Sequence, residues 1–122
     1  MSDRLDHLIR ALSDPAVYPH GPTSVDVIQT HISVVFIAGD LVYKIKKPVN
    51  FGFLDFTTLA KRQFFCRQEV ALNSRFSEGI YLGVVDIHEG PRGVNLQGEG
   101  GVIDAAVLMR RIPQDRVMVR ML

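Results

Sequence analysis

The chain has 122 residues, of which 47% are hydrophobic and 22% charged, and this composition fits one globular domain with a modest core. Its formal net charge is only +1, so charge gives no basis for binding nucleic acid or an anionic membrane surface. The single cysteine excludes an internal disulfide and fits a reducing cytoplasm, the four histidines lack metal-ligand spacing, and no apolar run approaches the roughly 20 residues of a membrane span.

The first predicted element is an amphipathic helix over residues 3–12. Its apolar side chains recur at helical spacing, at Leu5, Leu8, Ile9 and Leu12. The following stretch, SDPAVYPHGP, contains three prolines and ends the helix. We expect the helix to cover one face of a β-sheet, because an apolar stripe left in water forfeits about 25 cal/mol per Å².

Three strands are predicted next, over residues 25–31, 33–39 and 41–47, and Gly39-Asp40 indicates a two-residue hairpin between the second and third. Such a turn fixes the register, so directly opposed residues share a face. One face then carries Ser33, Val35, Ile37, Val42, Lys44 and Lys46, an apolar patch that ends in ammonium groups. The opposite face carries Val34, Phe36, Tyr43 and Ile45 and is predicted core.

The strongest helix pattern covers Asp55 to Asn73, with Asp55 or Thr57 as its cap. Its predicted apolar stripe comprises Leu59, Phe65, Cys66, Val70, Leu72 and Phe76. Glu69 lies inside this stripe, where a carboxylate is costly unless it finds a cation. Lys44 is its predicted partner. The alternatives are a Glu69 at the stripe edge that reaches water, and a purely structural Lys-Glu bridge.

Two further strands are predicted over residues 81–87 and 102–112, separated by the glycine-rich segment 88–101. The predicted fold class is therefore α+β: a five-stranded antiparallel sheet with one long helix between strands 3 and 4, plus an N-terminal helix. Residues 114–122 have the pattern of the first turns of another helix and then stop without a cap signal. We therefore expect a single domain, residues 1–122, cut before a larger lobe.

Three features in this order resemble the small lobe of a protein-kinase-like phosphotransferase: Val42-Tyr43-Lys44, the helical Glu69 and the terminal strand VLMRRIP. The closer similarity is to aminoglycoside phosphotransferase-like enzymes, and among these to a bacterial group whose kinase-like domain precedes a P-loop ATP-binding domain. The blocks THISVVFIAGD, YKIKKPVNFGFLDF and FCRQE carry this similarity, which extends from about Asp26 to the end of the chain.

The resemblance implies an ATP site, with Lys44 holding the α- and β-phosphates and Glu69 positioning that lysine. Lys46 lies on the same face and is the alternative phosphate lysine. The resemblance also implies that Val42 lies against adenine and that Met109 is the gatekeeper.

Backbone groups complete the implied site. Arg110 and Ile112 would offer hinge groups to the adenine edge. The stretch from Thr30 to Ser33, with His31 inside it, would form the loop over the phosphates, although it lacks the glycines that protein kinases have there.

The resemblance implies a cytoplasmic, ATP-dependent phosphotransferase that acts on a hydroxyl of an unknown small molecule. The catalytic aspartate and the Mg²⁺ ligands of this family come from a large lobe, so no catalytic residue is expected in residues 1–122 and the chain alone should be inactive. A hinge-side surface without that lobe would be apolar, so we expect the chain to self-associate as a dimer. The alternative function is a non-catalytic interaction module with a structural Lys-Glu pair.

Overall fold

The computed structural model describes residues 3–52, 54–75 and 79–111. The elements in chain order are α1 (Asp3–Leu12), a 3-10 turn (Pro15–Val17), β1 (Val25–Gln29), β2 (Ser33–Ala38), β3 (Leu41–Lys46), α2 (Leu59–Asn73), β4 (Tyr81–Gly90), β5 (Gly93–Asn95) and β6 (Gly101–Arg110). All strand pairs are antiparallel, in the order β1-β2-β3-β6-β4-β5, and the sheet curls into a half-barrel. Ile112 and the predicted last helix lie outside the described residues.

The predicted fold class, a five-stranded antiparallel sheet with one long helix between strands 3 and 4, is wrong. Within the described residues the sheet has six strands and curls, and two helices pack on it. The sixth strand comes from the glycine-rich segment, where β5 pairs with the end of β4. Glycine is required where this segment crowds itself, since a Cβ on Gly90 would lie 2.8 Å from the Glu99 carbonyl oxygen. The strand β5 has only three residues, which is too short for an apolar alternation to reveal it in the sequence.

The N-terminus of α2 also differs from the prediction. The helix begins at Leu59, and its N-cap is Thr58, whose side chain accepts the Lys61 N–H at 3.2 Å. Asp55 instead accepts hydrogen bonds from the N–H and hydroxyl of Thr57, at 3.0 and 2.6 Å. Asp55 therefore caps a local turn and leaves the helix to start one residue after Thr58.

The β2–β3 hairpin has the predicted register. Ala38 opposes Leu41, Val35 opposes Lys44, and Ser33 opposes Lys46. Gly39 adopts a φ of 63° in the turn, a conformation that glycine reaches without steric cost. The register prediction is therefore confirmed, and with it the division of side chains between two faces of the sheet.

Helix α1 covers one of these faces, as predicted. The buried cluster on this side joins α1 to the hairpin strands through Leu5, Leu8, Leu12, Val34, Phe36, Tyr43 and Ile45. The Tyr18 hydroxyl donates a hydrogen bond of 2.6 Å to the Leu12 carbonyl, which satisfies one acceptor at the end of the helix.

Helix α2 covers the opposite face, above β6 and β4. Cys66 packs there in a cluster with Val42, Ala105, Val107 and Met109. The predicted apolar stripe of this helix is partly wrong, because Leu72 is 54% exposed. The two fully buried residues of α2 are Cys66 and Arg62, so the helix docks through a narrow apolar contact with a charged residue beside it.

A buried ion pair fastens the N-terminal half of α2 to the sheet. Arg62 Nε donates to Asp104 Oδ1 at 3.0 Å, and Arg62 Nη1 donates to the Phe56 carbonyl at 3.0 Å. Asp104 Oδ1 also accepts the Ala105 N–H at 2.8 Å. Both charged side chains are at most 3% exposed, so neither can lose its partner without leaving an uncompensated buried charge. Sequence analysis missed this pair.

Replacing Arg62 by methionine is expected to lower the free energy of unfolding by about 3–5 kcal/mol, because Asp104 would stay buried without its cation. Urea unfolding of the purified chain measures this loss. Arg67→Met is the matched control, since Arg67 is exposed on the same helix and its loss should cost less than about 0.5 kcal/mol. Equal losses in the two variants would contradict a docking role for Arg62.

A second pair of variants tests the glycine-rich hairpin. Gly90→Ala is expected to destabilise the chain by about 1–3 kcal/mol, because its new methyl group meets the Glu99 carbonyl. Gly101→Ala is the control, since a Cβ there meets no atom within 4 Å and the backbone φ is not positive. Thermal unfolding followed by circular dichroism compares them, and a Gly90→Ala protein as stable as Gly101→Ala would argue against the close approach.

Candidate functional site

Three charged side chains meet between β3 and α2. Lys44 Nζ lies 2.5 Å from Glu69 Oε2, and Lys46 Nζ lies 2.8 Å from Glu69 Oε1. Each carboxylate oxygen thus has its own ammonium partner. The predicted Lys44–Glu69 ion pair is confirmed, and Lys46 shares the same carboxylate. We refer to Lys44, Lys46 and Glu69 as the lysine–glutamate cluster.

The fold places the cluster through two local rules. Lys44 and Lys46 are two residues apart on one strand, so both side chains leave the same face of the sheet. Glu69 follows the buried Cys66 by three residues on α2, so the two share a side of the helix. Because Cys66 is anchored in the core, Glu69 is carried down onto the face that bears the lysines.

The two lysines differ in their surroundings. The Lys46 side chain is 8% exposed, and its ammonium lies 5.2 Å from the centre of the Phe56 ring. The Lys44 side chain is 19% exposed and lies between Val35 and Val107, its partners on the adjacent strands. Lys46 is therefore the enclosed cation, and Lys44 is the one that a ligand reaches more easily.

The two lysine charges determine the protonation state of Glu69. Burial by itself would raise the pKa of Glu69, but the ammonium groups of Lys44 and Lys46 outweigh it and hold the pKa below its usual range. Burial, with the Glu69 charge added, raises the pKa of Tyr81. At neutral pH the cluster therefore contains an ionised carboxylate and a neutral phenol nearby.

Cys66 lies beside the cluster but is not reactive. Burial is the largest effect on its thiol and raises the pKa to about 11. The thiol Sγ lies 3.9 Å from the Ala105 carbonyl oxygen, inside the apolar cluster under α2. Its placement in the core agrees with the expectation from the helical pattern.

The apolar part of the predicted site shares a face with Lys44. Val42 opposes Met109 in the β3–β6 register, and Ile37 opposes Val42 on the other side. Val42 is 8% exposed and Met109 only 2%. Met109 therefore lies beneath the surface, whereas the partly exposed Val35 and Ile37 form the more accessible apolar area.

The predicted phosphate loop is a closed turn between β1 and β2. Thr30 Oγ1 accepts the N–H groups of Ile32 and Ser33, at 3.3 and 3.0 Å, and the Thr30 N–H donates to the Ser33 carbonyl at 2.9 Å. Ser33 is 6% exposed and opposes Lys46, whereas His31 is exposed at the tip. Two amides that were expected to face a phosphate are thus already bound by Thr30.

The predicted hinge begins at the end of β6. The Arg110 N–H donates to the Ile80 carbonyl at 2.7 Å, and its Nε donates to the Gly79 carbonyl at 3.1 Å. The backbone donor of Arg110 is therefore occupied. Ile112, the other predicted hinge residue, lies outside the described residues.

A separate hollow of about 270 Å³ lies between α1 and the start of α2. Its lining residues are Arg4, Leu5, Pro48, Thr57, Arg62 and Asp104. It shares no residue with the lysine–glutamate cluster. Sequence analysis gave no sign of it, because its walls come from four distant parts of the chain.

Among residues 3–52, 54–75 and 79–111, no group of three or more His, Cys, Asp or Glu side chains is arranged to hold a metal ion. Within the same ranges no helix combines the length and apolar character needed to cross a membrane.

The chain is similar to uncharacterized proteins of Mycobacterium tuberculosis and Mycobacterium bovis. Each is 39% identical over 87 residues, which make up 71% of this chain and 16% of the relative. The chain therefore spans about a sixth of the length of the curated relatives it matches. No protein-family model matches the chain, and no solved structure matches it.

The pH dependence of stability tests the ionisation of Glu69. Because its pKa in the folded chain lies below 4.5, the ordinary value, its ion pairs stabilise the fold fully above that pH and lose this effect as the pH falls below it. The free energy of unfolding, measured with urea at pH 7, 5, 4 and 3, should therefore fall more steeply with decreasing pH in the wild type than in Glu69→Gln.

Glu99→Gln is the control, because Glu99 lies exposed in the glycine-rich hairpin, and its profile should follow the wild type. Parallel profiles for the wild type and Glu69→Gln would mean that the carboxylate gains nothing from the two lysines.

Proposed function

We propose that this chain is the nucleotide-binding lobe of an ATP-dependent phosphotransferase acting on a hydroxyl of a small molecule. In this proposal it belongs to an aminoglycoside phosphotransferase-like enzyme in which a P-loop ATP-binding domain follows. The observation that carries the proposal is the lysine–glutamate cluster. Lys44 lies on a central strand and is held 2.5 Å from a helix carboxylate, beside an apolar sheet surface.

Phosphoryl transfer depends mainly on positioning the phosphates and stabilising their charge. The Lys44 ammonium has three N–H donors, and Glu69 engages it from one side. Lys44 is partly exposed, so a phosphate can approach its ammonium from the solvent side and compete with Glu69 for it. Glu69 stays ionised at neutral pH, so it orients the Lys44 ammonium in the ligand-free chain. The cluster has two cations and one anion, and its net charge of +1 favours a phosphate.

The apolar face beside Lys44 supports the nucleotide part of the proposal. Val35 and Ile37 are partly exposed, and Val42 lies between Ile37 and the buried Met109 in the register. An apolar surface next to a cation suits a purine ring with a phosphate tail. The closed turn at Thr30 limits what the loop amides contribute, so in this proposal side-chain cations carry most of the phosphate contact.

The remaining chemistry is assigned to other parts of the full protein. Mg²⁺ would neutralise charge on the phosphates, and its ligands and the catalytic aspartate would come from a larger lobe. The relatives are about six times as long as the aligned stretch, which leaves room for such a lobe and for a P-loop domain. We assign the enzyme to the cytoplasm, where ATP is abundant and a free thiol such as Cys66 stays reduced.

The second candidate is a non-catalytic interaction module, and one observation favours it. Both lysines already have a partner in Glu69, and the Ile32 and Ser33 amides are bound by Thr30. A cluster satisfied in this way also serves to dock α2 on the sheet. In that case the charges stabilise the fold and bind no ligand.

Calorimetric titration with ATP separates the two functions. The 122-residue chain should bind ATP weakly, and Lys44→Met should weaken binding about tenfold or more, because a charge-assisted hydrogen bond contributes about 1.5–3 kcal/mol.

Lys61→Met is the control, since Lys61 is exposed on α2 and pairs with Asp55 outside the cluster. Thermal unfolding verifies that each variant is folded. If the wild-type chain does not bind millimolar ATP, or if Lys44→Met and Lys61→Met bind ATP with equal affinity, the result would favour the interaction module.

A further inference from the structure

We propose that Lys46 is a positioning residue, which stays bound to Glu69 when Lys44 turns from the carboxylate toward a phosphate. This inference rests on the proposed function of Lys44 and adds a division of labour between the two lysines. Lys46 itself does not touch the phosphate in this scheme.

When Lys44 turns away, the Glu69 carboxylate still needs a counter-ion. Glu69 is 15% exposed, and a phosphate that attracts Lys44 competes directly with it. A carboxylate in this position that lost its sole cation would be strongly destabilised. Here Lys46 remains on the other oxygen, 2.8 Å away, so Glu69 keeps a counter-ion while Lys44 moves.

Lys46, and not Lys44, is the lysine that stays bound to Glu69. Lys46 is less exposed than Lys44, at 8% against 19% of its side chain. Its ammonium also lies over the ring of Phe56, which is itself 2% exposed and packs edge-on against Phe65. The Phe56 carbonyl is fixed in turn by Arg62. Lys46 is therefore enclosed by buried side chains, whereas Lys44 is the more exposed of the two.

Loss of Lys46 should weaken phosphate binding through Lys44, an effect that a merely structural lysine would not have. Without Lys46, Lys44 becomes the single counter-ion of Glu69 and is held more tightly by it. Phosphate binding then weakens although Lys44 is intact. Removing the charge of Glu69 as well releases Lys44 and restores binding.

The experiment titrates inorganic tripolyphosphate and ATP into the 122-residue chain and two variants. Lys46→Gln should bind both ligands about tenfold more weakly than the wild type, and Lys46→Gln/Glu69→Gln should recover to within about threefold. Unchanged affinity in Lys46→Gln overturns the inference. A loss that the double variant fails to recover also overturns it, because Lys46 would then bind the phosphate directly.

A second measurement needs no variant. In ¹⁵N spectra of the lysine side chains of the wild-type chain, the Lys46 ammonium protons should exchange with water more slowly than those of Lys44. Added tripolyphosphate should shift the Lys44 Nζ signal and leave that of Lys46 nearly unchanged. Slower exchange at Lys44, or a shift confined to Lys46, overturns the inference.

The two proposals fail in different ways. A wild-type chain that binds neither ATP nor tripolyphosphate removes the proposed function, and the exchange rates in the free chain still decide which lysine is the permanent partner of Glu69. If the wild-type chain binds both ligands and Lys46→Gln binds them equally well, the proposed function stands. Only the separate roles of the two lysines are then disproved.

Discussion

The docking of α2 on the sheet depends on two ion pairs of opposite polarity on one side of the helix. Arg62 reaches Asp104 on β6, and seven residues later Glu69 reaches the two lysines of β3. Cys66 lies between them in the apolar contact. A narrow apolar contact alone would tolerate sliding or rotation of the helix. The charges exclude this, because a shifted helix would bury an uncompensated guanidinium or carboxylate.

Stability and the candidate site consequently have the same origin. The contact that fixes the helix also brings a carboxylate to Lys44, so a change that loosens α2 alters the electrostatics of the site as well. Since Arg62 and Asp104 are fully buried while the lysine–glutamate cluster is partly open, the first pair acts as the anchor and the second retains access to solvent. The cluster, and not the Arg62–Asp104 pair, is therefore the candidate ligand site.

The site relies on side chains more than on the backbone. Thr30 closes the turn between β1 and β2 with its own hydroxyl, and the Arg110 amide is bound to the Ile80 carbonyl. Backbone donors at both ends of the predicted nucleotide site are thus occupied. Lys44 on β3 remains partly exposed beside an apolar face, and the functional proposal accordingly rests on it.

Local rules in the sequence were sufficient for part of this structure. A two-residue turn at Gly39-Asp40 fixes its hairpin register, which placed Lys44 and Lys46 on one face, and the apolar spacing of α1 predicted a helix that covers one face of the sheet. The position of Glu69 near an apolar contact followed from helical geometry. Tertiary structure alone decided the rest. The three-residue strand β5 is too short to show an alternation, the Arg62–Asp104 pair joins residues 42 positions apart, and the sharing of Glu69 by both lysines depends on where the docked helix comes to lie. Contacts between residues so far apart leave no periodic pattern, because the sequence around each residue does not show which distant residue it meets.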